Sequence, residues 1–238
     1  MKLEVISIKK KIDKKNILKD VSFECSVGEK IAILGPNGAG KTTTFMVLAG
    51  FYKADEGKIN LIDDSSKRDI THLSAFEKAK LGIAYLPQKN TLFEDISVYE
   101  NFKIAAQIAG ISVDRIDEVV GKFGIQELMK KRVSVLSGGE RRKVEIARVW
   151  LLSPNFIILD EPFAGIDPKS INLVASIIDD LSKNVGVIIS DHNVRDVLKI
   201  CNRVYLLYDG RTIEEGTPDQ IIKSYKAKTL FFGESFEL

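Results

Sequence analysis

A chain of 238 residues, 45% apolar and 29% charged, has the composition of a globular protein long enough for one large core with a small subdomain. Its net charge of +2 provides no field for nucleic acid, and no apolar run approaches the roughly 20 residues that cross a bilayer, so any membrane role comes through partners. Met1 to Lys11 lacks the apolar stretch of a signal peptide, and Cys25 and Cys201 lack metal-ligand spacing, which fits a reduced cytosolic protein.

In chain order, Leu3, Val5, Ile6 and Ile8, then Ile17, Leu18, Val21 and Phe23, predict short antiparallel strands of a half-exposed sheet. Lys30–Leu34, Phe156–Leu159 and Val185–Ile189 are short, apolar on both faces and β-branched, as strands buried in a parallel sheet are. Polar residues follow each of them: Gly35 onward, Asp160–Glu161, and Asp191–His192. Open parallel sheets bind ligands beyond the carboxyl ends of their strands, so these residues gather on one edge. Val98 to Lys131 reads as helical, with Val98, Phe102, Ala105 and Ala109 on one face and Gly110 closing the first helix. Val204–Tyr208, Asp209–Gly210 and Arg211–Ile213 predict a hairpin with a type I′ turn. Thr217-Pro218-Asp219-Gln220 caps a last helix. The fold class is therefore α/β, with a mostly parallel core sheet, an N-terminal antiparallel β subdomain and an inserted helical subdomain.

Gly35-Pro36-Asn37-Gly38-Ala39-Gly40-Lys41-Thr42 fits the P-loop pattern GxxxxGK followed by Ser or Thr, and it lies between a buried strand and a helix as the pattern requires. Such a loop turns its N–H groups inward beneath a positive helix end, making a nest for phosphates. Lys41 is expected on the β- and γ-phosphates, the Thr42 hydroxyl on Mg2+, and Thr43 beside them. Asp160 closes an apolar strand where it can hold Mg2+, and Glu161 follows where a carboxylate can polarise an attacking water. On its own this pair is equally consistent with an acid that merely caps a helix. Leu136-Ser137-Gly138-Gly139-Glu140 contains a capping box, Ser137 with Glu140, for a helix bearing Val144, Ala147 and Leu151. A capping box has no need of two glycines. Their bare backbone lets an anion approach the helix N-terminus closely, and the cap and an anion site are compatible. His72 lies in a polar stretch and reads as a surface residue.

LSGGE is the signature of ABC transporter ATPases, and other landmarks of that family follow in order. Gln88 resembles its Q-loop glutamine, Ala164-Gly165-Ile166-Asp167 its D-loop and His192 its switch histidine. The resemblance implies the P-loop NTPase fold of the family over 1–238, with a RecA-like core and β subdomain at about 1–90 and 152–238 and a helical subdomain at about 91–151. It implies ATP hydrolysis in a homodimer that meets head to tail, each ATP lying between one subunit's P-loop and the other's Ser137, Gly138 and Gly139. Gln88 would couple Mg2+ and water to a membrane partner, and His192 would read the γ-phosphate. Glu161-Pro162-Phe163-Ala164-Gly165-Ile166-Asp167-Pro168, Ser190-Asp191-His192-Asn193-Val194-Arg195 and the tail Phe232-Gly233-Glu234-Ser235-Phe236 resemble the lipopolysaccharide-export branch of the family. That branch implies a subunit on the cytoplasmic face of the inner membrane, docked to two transmembrane subunits near Phe93 and Tyr99. Another transporter cassette, such as a branched-chain amino-acid importer, is the alternative. Two positions depart from the pattern. Ile12 stands where an aromatic side chain usually stacks on the base, and Glu94–Asp95 stand where a basic residue is familiar. A soluble two-cassette ABC protein is disfavoured by the single P-loop and the absence of sustained heptads. A P-loop kinase has no use for LSGGE.

Overall fold

The computed structural model describes residues 1–233; the tail motif from Glu234 onward lies outside the described residues. Its framework is a ten-stranded sheet in the order β5-β4-β1-β2-β10-β9-β3-β8-β7-β6. Strands β1 (Lys2–Ile12), β2 (Lys15–Ser26), β4 (Glu56–Ile62) and β5 (Lys67–Asp69) form its antiparallel half. The expected first strands are present, although the inward residues are Leu3, Val5 and Ile8 while Ile6 is exposed. A bulge at Ser7 (φ 48°) changes the phase of the alternation between Val5 and Ile8.

The other half is built on β3 (Lys30–Leu34), β6 (Ile83–Leu86), β7 (Phe156–Asp160), β8 (Gly186–Ser190) and β9 (Arg203–Tyr208). All five run parallel. β10 (Arg211–Gly216) turns back on β9 through Asp209 (φ 46°) and Gly210 (φ 71°), both left-handed as a type I′ turn demands. A bridge from Arg211 to Asp20 joins β10 to β2. The central strands are covered on both sides. Ala32, Leu34, Ile157, Leu159, Val187 and Ile189 pack into one apolar core with the helices, while Ile31, Ile33, Phe156, Ile158 and Ile188 pack into a second with β1, β2 and β4.

Helix α1 (Lys41–Leu48) follows β3 directly, and α2 (Ala75–Lys80) precedes β6. Between β6 and β7 come α3 (Val98–Ala109), α4 (Asp114–Phe123) and α5 (Gly138–Leu151). α6 (Pro168–Ser182), α7 (Val194–Ile200) and α8 (Pro218–Lys223) complete the second half. On α3 the buried apolar residues are Val98, Phe102 and Ala106; Ala105 packs at the margin and Ala109 is exposed. The expected stripe fails at its end because Gly110 (φ 68°) turns the chain, Ile111 N–H bonds back to the Ala106 carbonyl at 2.9 Å, and Ile111 takes the core position instead. His72 is exposed, as expected. Among the described residues no helix is long and apolar enough to cross a membrane.

Lys78 on α2 is fully buried, a feature with no signature in the sequence. Its ammonium donates to the Val47 carbonyl near the end of α1 at 2.9 Å, and burial lowers its pKa to about 8, opposed by the charge of Asp69. Val47 O also accepts from Gly50 N–H at 3.1 Å, so removing the amine does not orphan it. A lysine whose pKa is lower folded than unfolded is protonated more in the unfolded chain, so its destabilising effect is complete below about 8 and disappears above the unfolded value of about 10.4. Lys78→Met should therefore be the more stable protein at pH 7, by up to roughly 3 kcal/mol, with the difference shrinking from pH 8 to 10. Denaturant melts of both proteins across that range check this; a constant or growing advantage at high pH contradicts it.

Candidate functional site

The loop from Gly35 to Gly40 joins β3 to α1, which starts at Lys41. Gly40 is the N-cap of α1 in a left-handed conformation (φ 105°), and a Cβ there would come within 2.7 Å of the Leu18 side chain, so glycine is needed on both counts. Pro36 accepts from Ala39 N–H at 3.1 Å, while Asn37 and Gly38 form the exposed crest of the loop. The Lys41 ammonium lies back across this loop, donating to the Gly35 carbonyl at 2.7 Å and to that of Pro36 at 3.1 Å. Burial lowers its pKa; the charges of Glu161 and Asp160 oppose the shift. Thr42 is exposed at the helix start, with Thr43 half-buried beside it.

Asp160, the last residue of β7, is buried; burial raises its pKa, opposed by hydrogen bonds from Tyr85 and Thr42. A buried carboxylate beside a helix-start hydroxyl, with its charge only partly matched, suits a hard divalent cation with oxygen ligands. The donor chemistry of Thr42, Asp160 and the Gln88 carbonyl group thus fits Mg2+.

Glu161 lies just beyond the strand with φ 52°, a conformation uncommon for a residue with a side chain, and its N–H is fixed by the Ser190 carbonyl at 2.7 Å. Its carboxylate is held at both oxygens. Gln88 Nε2 donates to Oε2 at 2.5 Å, and His192 Nε2 lies 2.7 Å from Oε1. The structure thus brings together three residues that come from three separate stretches of the sequence.

Ser137 makes the expected capping box: its hydroxyl accepts from Glu140 N–H at 3.3 Å while the Glu140 carboxylate accepts from Ser137 N–H at 2.9 Å. Ser137 and Gly138 are exposed, so the cap leaves the helix start open to an external anion. Gly138 lies against the D-loop at Gly165 and Ile166, whereas Gly139 is buried against the first turn of α6. A Cβ there would collide with the Ser170 side chain, which Asp167 holds through its carboxylate at 2.5 Å while capping α6. Ile12 lies half-buried before the Asp13–Lys14 turn at the end of β1.

Residues to which sequence reasoning gave no such role bind these parts together. Asp191, buried, accepts from Phe163 N–H at 2.7 Å and from Asn193 N–H at 2.8 Å, tying the loop after β7 to the loop after β8. Its pKa is raised by burial, against the lowering effect of those two bonds. Arg142 and Glu145 on α5 form a buried ion pair at 3.0 Å. Arg142 also donates to the Glu161 carbonyl at 3.1 Å, and Glu145 accepts from Thr91 N–H at 3.0 Å. One buried pair therefore connects the helical segment, the backbone of Glu161 and the chain three residues past Gln88. The available signal was a charged pair at i, i+3 sharing a helix face with Gly138 and Val149.

Further along that segment, Leu92 and Val98 are buried while Phe93 is 57% and Tyr99 40% exposed. Asn101, buried, explains the outward ring: its amide accepts from Phe93 N–H at 2.8 Å and donates to the Phe93 carbonyl at 3.0 Å, clamping the backbone while the side chain points away from the core. Glu94 pairs with Arg141 at 3.1 Å and accepts from Asn90 at 2.9 Å, which leaves Asp95 as the unmatched exposed acid of the pair named in the sequence.

Residues 18–164 match the ABC transporter family model. The lipopolysaccharide export system ATP-binding protein LptB of Escherichia coli K12 is 43% identical over 94% of this chain and 94% of its own length. The LptB of Acidithiobacillus ferridurans is 39% identical over 99% and 98%. Among solved structures, a nucleotide-free ATP-binding cassette from an ABC transporter superposes with a TM-score of 0.89 at 26% identity, covering 98% of this chain and all of that one. An ABC transporter cassette in its ADP conformation gives 0.88 at the same identity and coverage. A P-loop, an LSGGE helix start and a glutamate held between glutamine and histidine on one sheet edge, together with these matches, place the chain in the ABC transporter family as an ATP-binding cassette.

Proposed function

We propose that this cassette is the ATP-hydrolysing subunit of a lipopolysaccharide exporter, working as a homodimer on the cytoplasmic face of the inner membrane beneath two transmembrane subunits. The observation that carries the motor reading is the convergence of Gln88 and His192 on the Glu161 carboxylate beside the P-loop. The cargo reading is carried by likeness to the LptB proteins over nearly the whole chain.

In this reading the phosphates of ATP occupy the nest of residues 35–43, and Lys41 moves from the Gly35 and Pro36 carbonyls onto the β- and γ-oxygens. An ammonium already partly removed from water loses less hydration on that move than an exposed one would. Thr42, Gln88 and Asp160 would hold Mg2+, which would supply positive charge to the phosphates of the nucleotide. Glu161 orients the attacking water and accepts its proton. Its strained backbone, pinned by the Ser190 and Arg142 contacts, keeps the carboxylate aimed while Gln88 and His192 exchange partners around it. Ser137, Gly138 and Gly139 meet the γ-phosphate bound by a second copy, so each site is complete only in the closed, isologous dimer. Ile12 lies against the base and gives it an apolar face without aromatic stacking.

Glu161→Gln should keep ATP binding but lose turnover by 10²–10⁴-fold, about 3–5 kcal/mol of barrier. It should also accumulate a dimer in ATP that the nucleotide-free chain does not form. Phosphate release and light scattering measure the two effects, and near-normal turnover or an ATP-independent mass would assign the roles elsewhere.

Phe93, exposed on a backbone clamped by Asn101, suits an anchor for a short helix from each membrane subunit. Phe93→Ala should retain ATPase activity in the isolated chain yet lose co-purification with the membrane partners, since an aromatic anchor contributes about 2 kcal/mol or more, roughly thirtyfold in affinity. A transporter complex recovered at wild-type yield would overturn that assignment. The identity of the membrane proteins recovered with the wild type tests the cargo.

A further inference from the structure

Residues in register on adjacent parallel strands point to the same face of a sheet, and residues two apart on one strand do so as well. Asp160 on β7 is in register with Ser190 on β8, and Tyr85 on β6 is in register with Ile158, two residues before Asp160. Tyr85, Asp160 and Ser190 therefore form a polar row across three strands, on the face that α1 covers. Ile158, level with Tyr85, and Ile188, two residues before Ser190, belong to the apolar core that also holds Phe45 and Leu48 of α1.

Its hydrogen bonds are incomplete. Tyr85 Oη donates to Asp160 Oδ2 at 3.1 Å, and the Tyr85 ring is steadied by the Phe51 ring at 6.0 Å. The Thr42 hydroxyl also acts on this carboxylate, lowering its pKa. Ser190 is fully buried, and its Oγ has no hydrogen-bond partner among the described residues. A buried hydroxyl is almost always bonded, so one left open beside a carboxylate calls for a partner that arrives from outside the chain. A small apolar residue would fill the same volume with no polar atom to satisfy.

We propose that Tyr85 and Ser190 are positioning residues for the Mg2+ that accompanies the nucleotide. Tyr85 fixes one oxygen of Asp160, and Ser190 Oγ supplies a hydrogen-bond partner for water carried in with the cation. Neither residue touches the reacting phosphate. Both act through the metal's surroundings, where partners of a ligating carboxylate orient it and commonly govern metal affinity. The proposal rests on the ATPase reading given above.

The test uses the purified full chain and a fluorescent ATP analogue, TNP-ATP, without turnover as the readout. Its affinity is measured in EDTA, and the Mn2+ concentration that half-saturates the metal-dependent fluorescence change is then determined. Tyr85→Phe and Ser190→Ala should each raise that Mn2+ concentration about tenfold, with affinity in EDTA changed less than twofold. Ser190→Thr, which restores a hydroxyl, should return it to the wild-type value. Ser190→Ala should also melt no lower than the wild type without metal, because it removes an unsatisfied group. Unchanged Mn2+ dependence in both variants overturns the proposal and leaves the ATPase reading intact, as does equal loss of analogue binding in EDTA, which marks the two residues as merely structural. A wild-type chain that binds no analogue under any condition overturns both readings.

Discussion

Burial of the parallel strands on both faces is the constraint from which the rest follows. β3, β7 and β8 lie between two apolar cores, so polar side chains within them have no solvent to reach. Polarity is confined to where the strands end, and because the strands are parallel they all end on one edge. The P-loop, Asp160–Glu161 and Asp191–His192 stand where the strands leave the two cores. Their convergence results from sheet topology rather than from any attraction among them.

Once gathered, these charges have to be managed in poor contact with water. Burial raises the pKa of Asp160 and lowers that of Lys41, so each is made less comfortable in its charged form. Each is also beside the opposite charge that a metal–nucleotide complex would add to or replace. Lys41 holds loop carbonyls that phosphate oxygens can displace, and Asp160 leans on hydroxyl groups. A site with unspent electrostatic capacity of this kind is organised before its ligand arrives, which is the condition for stabilising charge that develops during reaction.

The buried Arg142–Glu145 pair gives the site a second dimension. Two charges removed from water are costly unless every remaining hydrogen-bonding position is used. Here Glu145 is engaged by Arg142 and by Thr91, and Arg142 reaches the Glu161 carbonyl. The pair is thus bound to both the catalytic edge and the segment that presents Phe93. These contacts form a continuous physical connection between the segment that presents Phe93 and the backbone of Glu161.

The sequence by itself determined the elements whose cause is local. Apolar runs marked the three buried strands, the glycine spacing marked the phosphate nest, Ser137 and Glu140 marked the capped α5, and Asp209–Gly210 marked a hairpin. Each depends on residues within a few positions of one another, which is the range over which backbone preference and side-chain period act. Tertiary structure alone decided what depends on distant neighbours. The bulge at Ser7 moved Ile6 outward, Ile111 displaced Ala109 from the core, and Lys78 was buried under α1. The bonds of Tyr85 to Asp160, of Asp191 to Phe163, of Arg142 to Glu161 and of Glu145 to Thr91 were not legible either, because each joins residues far apart in the chain. Whether Phe93 anchors inward or points outward could not be read from its apolar surroundings, because Asn101 decides it by clamping the backbone. Local chemistry names the groups that a site can use, and only packing across the sheet fixes which of them meet.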